Sequence, residues 1–184
     1  MSNDKLVVEA CIREERVAQR QLYEQFAGKL FAVSLRYMKS RDEAQDVLQD
    51  AFIKIFKNLH AFRFDCPLEA WLKRIVINTA LKAIQKRGQM PSIDIVDYHG
   101  ELDKSPGNLG LENLQMETLL GLINELPEGC RAVFNLYAIE GFKHQEIAEL
   151  LNITEGTSKS QFSRARMLLM EKIDKENIRL AKAN

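Results

Sequence analysis

The stretch GTSKSQFSRAR, from Gly156 to Arg166, consists largely of small polar and basic side chains. It contains no acidic residue, and its basic residues Lys159, Arg164 and Arg166 alternate with short hydroxyl and amide side chains. Cations bind phosphates, while hydroxyl, amide and guanidinium groups can form hydrogen bonds with base edges. A helix that faces a core is mostly apolar, and an idle surface helix usually mixes acids with bases. The composition therefore favours a helix that contacts nucleic acid.

A second candidate segment begins with the aromatic turn FRFDCP at residues 62–67. Residues 63–87 contain six basic side chains, two acidic ones and the only tryptophan, Trp71. Single-stranded nucleic acid binds where bases can stack on aromatic rings and cations can hold the backbone. The alternative is that the rings of Phe62, Phe64 and Trp71 belong to a hydrophobic core. The sequence leaves both interpretations open.

Amphipathic helices in the first half of the chain must position that segment. The stretch SRDEAQDVLQDAFIKIFKNL predicts one, because its apolar residues recur at spacings of three and four. These residues are Ala44, Val47, Leu48, Ala51, Phe52, Ile55, Phe56 and Leu59. The same spacing occurs at Leu22, Phe26, Leu30, Val33 and Tyr37, and at Leu68, Leu72, Ile75, Val76, Thr79 and Ile84. Three or four such helices sharing a core predict a small bundle.

The helix that starts after Ser40 has two further features. Ser40 is a good N-cap, and Glu43 completes the sequence signature of a capping box. Its polar face contains one aliphatic residue, Ile53. An exposed aliphatic side chain among charges can mark the centre of a partner-binding patch, although single exposed apolar residues are also common in proteins without that role.

The residues around the opening stretch predict a helix-turn-helix motif. HQEIAELLNI gives a short helix with Ile147, Ala148, Leu150 and Leu151 inward, and Thr154 is a fitting N-cap for the helix that follows. That second helix hides Phe162, Ala165, Leu168 and Leu169 and has a polar N-terminal half. In a helix-turn-helix the second helix enters the major groove, so GTSKSQFSRAR is predicted to be a recognition helix.

Charge and composition divide the chain into three parts. Residues 1–88 carry 16 basic and 11 acidic side chains, whereas residues 89–112 carry one basic and five acidic ones. The middle part is also rich in glycine and proline and lacks a helical period. We therefore expect an all-α protein with two small helical domains, 1–88 and 113–184, joined by a flexible linker at 89–112.

Several classes of protein are disfavoured by the sequence. No apolar run approaches the roughly 20 residues of a membrane span, and the N-terminus lacks a signal-peptide pattern. Cys11, Cys66 and Cys130 are far apart and have no zinc spacing, which suits buried or incidental thiols in a reducing cytoplasm. Hydrolase, P-loop, dinucleotide and metalloprotease motifs are absent from the sequence, so neither catalysis nor a metal or other cofactor is expected.

In this order, the motifs resemble those of the sigma-70 family of RNA polymerase sigma factors, in the short extracytoplasmic-function (ECF) group. DEAQDVLQDAFIKIFKNL is similar to the segment that binds core polymerase. FRFDCPLEAWLKRIVINTALKAIQKR resembles the segment for the melted −10 promoter element, and LPEGCRAVFNLYAIEGFKHQEIAELLNITEGTSKSQFSRAR resembles the terminal helix-turn-helix. The resemblance covers about residues 20–172 apart from most of the linker. It implies a factor that directs core polymerase to promoters and helps to melt them.

The resemblance also implies a role for individual residues. Core polymerase would bind Asp42, Asp46, Gln49, Asp50, Ile53 and Lys54. The −10 element would bind a base-capturing loop of Arg63, Phe64, Asp65 and Cys66, followed by Trp71, Lys73, Arg74, Asn78, Lys82 and Arg87. The −35 element would bind Thr157, Ser158, Lys159, Ser160, Gln161, Arg164 and Arg166, the last as a phosphate contact. The implied partners are core RNA polymerase, promoter DNA and, where one exists, an anti-sigma factor, with no small-molecule substrate.

One departure and one alternative remain. At Ser158 and Gln161 many relatives would carry an aliphatic and a basic residue. The alternative function is a stand-alone helix-turn-helix regulator that binds duplex DNA without polymerase, but it leaves the aromatic and basic segment unexplained.

Overall fold

The computed structural model describes residues 3–87 and 116–183, with side chains described at 4–87 and 118–176. Helices make up most of the described residues, which contain no strand, and the predicted all-α class is confirmed. The chain forms two compact units that divide after Ala83. The predicted linker, 89–112, and the boundaries assigned to it lie outside the described residues. Across the described ranges, no helix is long and apolar enough to cross a membrane.

The N-terminal unit is built from four α-helices. They are α1 (Asn3–Ile12), α2 (Arg16–Tyr37), α3 (Arg41–Asn58) and α4 (Leu68–Lys86), which continues three residues past the division, with a 3-10 turn at Leu59–Ala61. The apolar positions predicted for α2, α3 and α4 are buried, except that Phe56 and Ile75 are half-buried. The predicted bundle is therefore correct, and its core fixes which face of α3 and α4 is exposed.

The start of α3 is capped largely as predicted. The Glu43 backbone N–H donates to Ser40 Oγ at 3.2 Å, which confirms Ser40 as the N-cap. The Glu43 carboxylate accepts from the Lys39 backbone N–H at 3.1 Å, one residue before the Ser40 N–H of a standard capping box. The first bond satisfies a donor that a helix start leaves unpaired, and both bonds fix the residue at which the polar face of α3 begins.

The C-terminal unit contains the predicted helix-turn-helix. Its helices are α5 (Met116–Asn124), α6 (Glu128–Phe134), α7 (His144–Leu151) and α8 (Glu155–Ala183), and a π-helical turn at Asn135–Ile139 continues α6. One cluster of its core contains Leu122, Ile123, Leu126, Cys130, Phe134, Ala165, Leu169 and Ile173. Because α8 packs across this core, one side of its first turns is held inside the unit.

The turn between α7 and α8 is defined by two residues. Asn152 ends α7 in the left-handed region, with φ of 54°. Thr154 then caps α8, because its Oγ1 accepts a hydrogen bond from the Thr157 backbone N–H at 3.0 Å. The predicted N-cap is confirmed, and the recognition helix starts immediately after it.

Candidate polymerase and nucleic-acid interfaces

The polar face of α3 is exposed. The predicted polymerase-binding residues Asp42, Asp46, Gln49, Asp50 and Ile53 all lie on it in the open. Ile53 keeps 53% of its surface exposed, so it forms an aliphatic point within an acidic face. Such a face can combine charge steering with a small apolar contact.

Lys54 differs from the other members of this predicted set. Its side chain is partly buried, and its ammonium donates to Thr79 Oγ1 of α4 at 3.2 Å. The Thr79 hydroxyl in turn donates to the Ile75 carbonyl at 2.8 Å. In this structure Lys54 therefore links α3 to α4 and does not extend outward.

The aromatic turn separates one core ring from one exposed ring. Phe62 is buried, and its ring centroid lies 4.6 Å from that of Phe64 and 5.2 Å from that of Trp71. Phe64 keeps 44% of its surface exposed, whereas Trp71 is half-buried. Phe62 thus belongs to the core, and Phe64 stands at the surface where a base could stack on it.

The backbone at Phe64 is also unusual. Its φ of 60° places a bulky residue in the left-handed region, which costs non-glycine residues roughly 1–3 kcal/mol. Its neighbours Arg63, Asp65 and Cys66 are exposed as well. Together they form a surface loop whose shape is imposed by the core ring before it and α4 after it.

The helix α4 gathers only some of the predicted −10 residues. Trp71, Arg74, Asn78 and Lys82 fall within an arc of about 80° when the helix turns by about 100° per residue. Lys73 lies about 160° from Trp71 around the same helix, and Arg87 lies past its end. One face of α4 therefore carries a ring, an amide and two cations, directly after the exposed loop.

The start of α8 divides the predicted −35 residues into exposed and buried groups. Ser160 and Arg164 are exposed, while Thr157, Lys159 and Arg166 are partly exposed. Helix geometry places Thr157, Ser160 and Arg164 on one side of the core-facing stripe and Lys159 with Arg166 on the other. The exposed arc presents hydroxyl groups and cations, as a recognition helix requires.

Two of the predicted base readers are in the wrong place. Ser158 is 0% exposed and Gln161 is 5% exposed, so neither side chain can reach a base edge. They share the core-facing stripe of α8 with Phe162, Ala165 and Leu169, all within an arc of about 100°. The prediction that Ser158 and Gln161 read DNA is therefore wrong, and the five other residues form the candidate −35 surface.

Glu155 was missing from the predicted site. Its carboxylate pairs with the Lys159 ammonium at 2.7 Å, which lowers the pKa of Glu155 through that hydrogen bond. The spacing of four residues on a helix is the usual one for such a pair and could have been read from the sequence. Because the pair is solvent-exposed, it holds Lys159 only weakly, and the ammonium can exchange this partner for another.

The two units match two different family models. Residues 22–89 match Sigma-70 region 2, and residues 116–169 match Sigma-70, region 4. The first match covers α3, the aromatic turn and α4, and the second covers the helix-turn-helix. The matched ranges therefore contain all three candidate surfaces.

Similar proteins extend over nearly the whole chain. The ECF RNA polymerase sigma-E factor of Escherichia coli strain K12 is 30% identical over 180 residues, 92% of this chain and 94% of that protein. The RNA polymerase sigma-H factor of Pseudomonas aeruginosa is 32% identical over 182 residues, 94% of this chain and 92% of that protein. A solved sigma factor, RpoE in complex with the anti-sigma factor NepR from Bartonella quintana, has a TM-score of 0.53 at 25% identity, covering 84% of this chain and 96% of that one. The chain therefore belongs to the sigma-70 family of RNA polymerase sigma factors, in its ECF group.

Proposed function

We propose that the three surfaces divide the tasks of a sigma factor among them. As a member of this family, the chain directs core RNA polymerase to promoters and takes part in promoter melting. The α3 face of Asp42, Asp46, Gln49, Asp50 and Ile53 docks on core polymerase. Lys54 stabilises that face through its hydrogen bond to Thr79 of α4. Because core polymerase works in the cytoplasm, we place the protein there, and we assign it no catalysis of its own.

The observation that supports the proposal is that one chain carries two exposed surfaces of different composition, each a candidate for a different form of nucleic acid. The exposed Phe64 ring and the adjacent face of Trp71, Arg74, Asn78 and Lys82 suit unstacked bases and a single-stranded backbone. The exposed side of α8 suits the major groove of duplex DNA. A factor that reads −35 as duplex and −10 as melted strand needs both.

A stand-alone regulator remains the second candidate and differs in one measurable respect. It would bind promoter duplex tightly without polymerase, whereas a sigma factor needs core polymerase for promoter-specific binding. Gel-shift assays on one promoter, with and without core polymerase, separate the two. We expect a specific complex only when core polymerase is present.

Replacing Phe64 by alanine is expected to reduce open-complex formation on duplex promoters roughly fivefold or more, because stacking on an aromatic side chain contributes about 1–3 kcal/mol per base. Permanganate footprinting of the −10 region measures the open fraction. A template with mismatched −10 bases already has its strands apart, so it should recover the part of the defect that belongs to melting.

The matched control is Phe64→Tyr, which keeps the ring and should remain near wild type. If Phe64→Ala instead lowers the thermal midpoint by several degrees and leaves the open fraction unchanged, the ring stabilises the fold and does not capture a base.

Replacing Lys159 by alanine is expected to change the order of preference among −35 variants, because losing a base contact costs about 1–3 kcal/mol on the correct site. Replacing Arg166 should lower transcription from all variants alike and reduce the salt slope by about one, as expected for a phosphate contact. Run-off transcription across single-base −35 variants distinguishes these two patterns. Lys172→Ala is the control, because it removes a cation from α8 about 20 Å beyond Lys159. An unchanged order of preference for Lys159→Ala would remove Lys159 from the reading surface.

A further inference from the structure

The buried polar residues of α8 make contacts with both neighbouring helices. Ser158 Oγ lies 2.9 Å from Nδ1 of His144, the first residue of α7. Gln161 Oε1 accepts a hydrogen bond from the Cys130 thiol of α6 at 2.9 Å.

The surroundings hold each of these side chains in place. The His144 ring stacks on Tyr137 with centroids 4.3 Å apart and an interplanar angle of 14°. Gln161 lies against Gly129 of α6, and a Cβ added to Gly129 would lie 3.4 Å from Nε2 of Gln161. Both polar contacts therefore sit in packed environments with little freedom to rearrange.

We propose that Ser158 and Gln161 are positioning residues that fix the rotation of the recognition helix, one through His144 of α7 and the other through Cys130 of α6. The proposal rests on the proposed reading of −35 DNA by α8. The two contacts fix how Thr157 and Ser160, on one side of the core-facing stripe, and Lys159, on the other, are held relative to the groove, although Ser158 and Gln161 touch no DNA themselves. We refer to the Ser158–His144 and Gln161–Cys130 contacts as the two clamps.

Helix geometry shows why rotation matters here. Side-chain tips lie about 5–6 Å from the axis of a helix, so a rotation of about 20° moves a tip by roughly 2 Å. Hydrogen bonds to base edges tolerate only about 0.5 Å in length. Apolar packing is non-directional and allows such rotations more readily than a hydrogen bond does. Clamps toward two different helices resist rotation in both directions.

The protonation states suit both clamps at neutral pH. Burial lowers the pKa of His144, Lys159 lowers it further and Glu155 opposes the shift, so the ring stays neutral. Burial raises the pKa of the Cys130 thiol against smaller opposing effects of Arg164 and a backbone hydrogen bond, so the thiol keeps the proton that it donates. Neither contact thus depends on a buried charge.

The test uses holoenzyme reconstituted with the full chain and a set of single-base −35 variants. His144→Phe keeps a ring that can stack on Tyr137 but removes the hydrogen bond. His144→Asn places an amide group where Nδ1 of the histidine lies, so it can form the hydrogen bond to Ser158. We expect His144→Phe and Ser158→Ala each to reduce the ratio of transcription from the best −35 site to transcription from mismatched sites. The expected reduction is roughly two- to tenfold, the range for one hydrogen bond. Their double variant should lose no more than the larger single effect, because both remove the same contact. His144→Asn should regain most of the ratio.

The second clamp is tested in parallel with Gln161→Met, which keeps the length of the side chain, and Cys130→Ser, which keeps a donor. Gln161→Met should flatten discrimination, and Cys130→Ser should largely preserve it. Discrimination is compared with the thermal midpoint of each variant, since a purely structural role lowers the midpoint without changing the ratio between sites.

Two outcomes separate failure of the clamps from failure of the proposed function. If Lys159→Ala changes the order of preference while all clamp variants keep the wild-type ratios, the clamps do not position the helix and the reading of −35 stands. If Lys159→Ala, Thr157→Ala and Ser160→Ala all leave the order unchanged, the reading by α8 is itself wrong and the clamp proposal fails with it. Ser158→Ala decides the first clamp even if His144→Phe unfolds, because alanine is readily accommodated in a helix.

Discussion

Replacing Arg131 by methionine is expected to destabilise the C-terminal unit by about 3–5 kcal/mol, the usual effect of breaking a buried ion pair from one side. Arg131 is 1% exposed, and its Nη2 lies 3.8 Å from Oε1 of Glu128, which is buried as well. Arg131 Nη1 also donates to the Asn124 carbonyl at 2.8 Å. The substitution would leave the Glu128 carboxylate without this cation and the Asn124 carbonyl without this donor.

Hydrogen exchange followed by mass spectrometry can localise the effect. Peptides from α6, α7 and α8 should exchange about a hundredfold faster or more, while peptides from α2 and α3 should be unchanged. The fluorescence of Trp71, the only tryptophan, reports on the N-terminal unit and serves as an internal control.

The double variant Arg131→Met with Glu128→Leu is the matched comparison. It leaves no buried charge unpaired and should recover much of the loss, because apolar replacement of a whole buried pair is often neutral. If the double variant loses as much free energy of unfolding as Arg131→Met and Glu128→Leu together, the Arg131–Glu128 pair does not stabilise the C-terminal unit.

Much of the fold follows from the spacing of apolar residues. The stripes of α2, α3 and α4 and the capping of α3 by Ser40 and of α8 by Thr154 could all be predicted from the sequence. They could be predicted because helix period and capping depend on residues close in the chain. The exposed face of α3, and therefore the candidate polymerase surface, follows directly from the same stripes.

The errors arose where side-chain type and helix position disagree. Ser158 and Gln161 are polar, and their composition suggested a surface, yet their positions match the phase of Ala165 and Leu169. Assigning these two residues by their position in the helical period, and not by their polarity, would have placed both side chains in the core. Their partners His144 and Cys130 lie in other helices, so these two contacts could be identified only from the tertiary structure.

Two features had no clear local signal. The exposure of Phe64 depends on its backbone φ of 60° and on the burial of Phe62 beside it, which the sequence left open. The π-helical turn at Asn135–Ile139 shifts the helical phase, so Asn135 is fully buried while Ile139 is 39% exposed. A single insertion in the helical period of this kind cannot be read from residue spacing alone.

Replacing Asp50 by arginine is expected to weaken binding to core RNA polymerase about thirtyfold or more. Asp50 is exposed at one edge of the acidic α3 face, about one turn before the exposed Ile53. Losing one partner of a buried interfacial charge pair costs roughly 2 kcal/mol or more, and reversing the charge adds repulsion. Affinity for core polymerase, measured by fluorescence anisotropy of the labelled chain, gives the change directly.

The control is Glu24→Arg, the same kind of charge reversal at an exposed position on α2 that the proposed surface does not include. It breaks only the exposed pair with Arg20 and should bind core polymerase like the wild type. Both variants should melt near the wild-type temperature, because neither residue is buried. Equal affinities of Asp50→Arg and Glu24→Arg for core polymerase would exclude the α3 face as the docking surface. A loss confined to Asp50→Arg that high salt reduces in size would show that opposite charge on the polymerase steers this contact, since screening shortens the range of both attraction and repulsion.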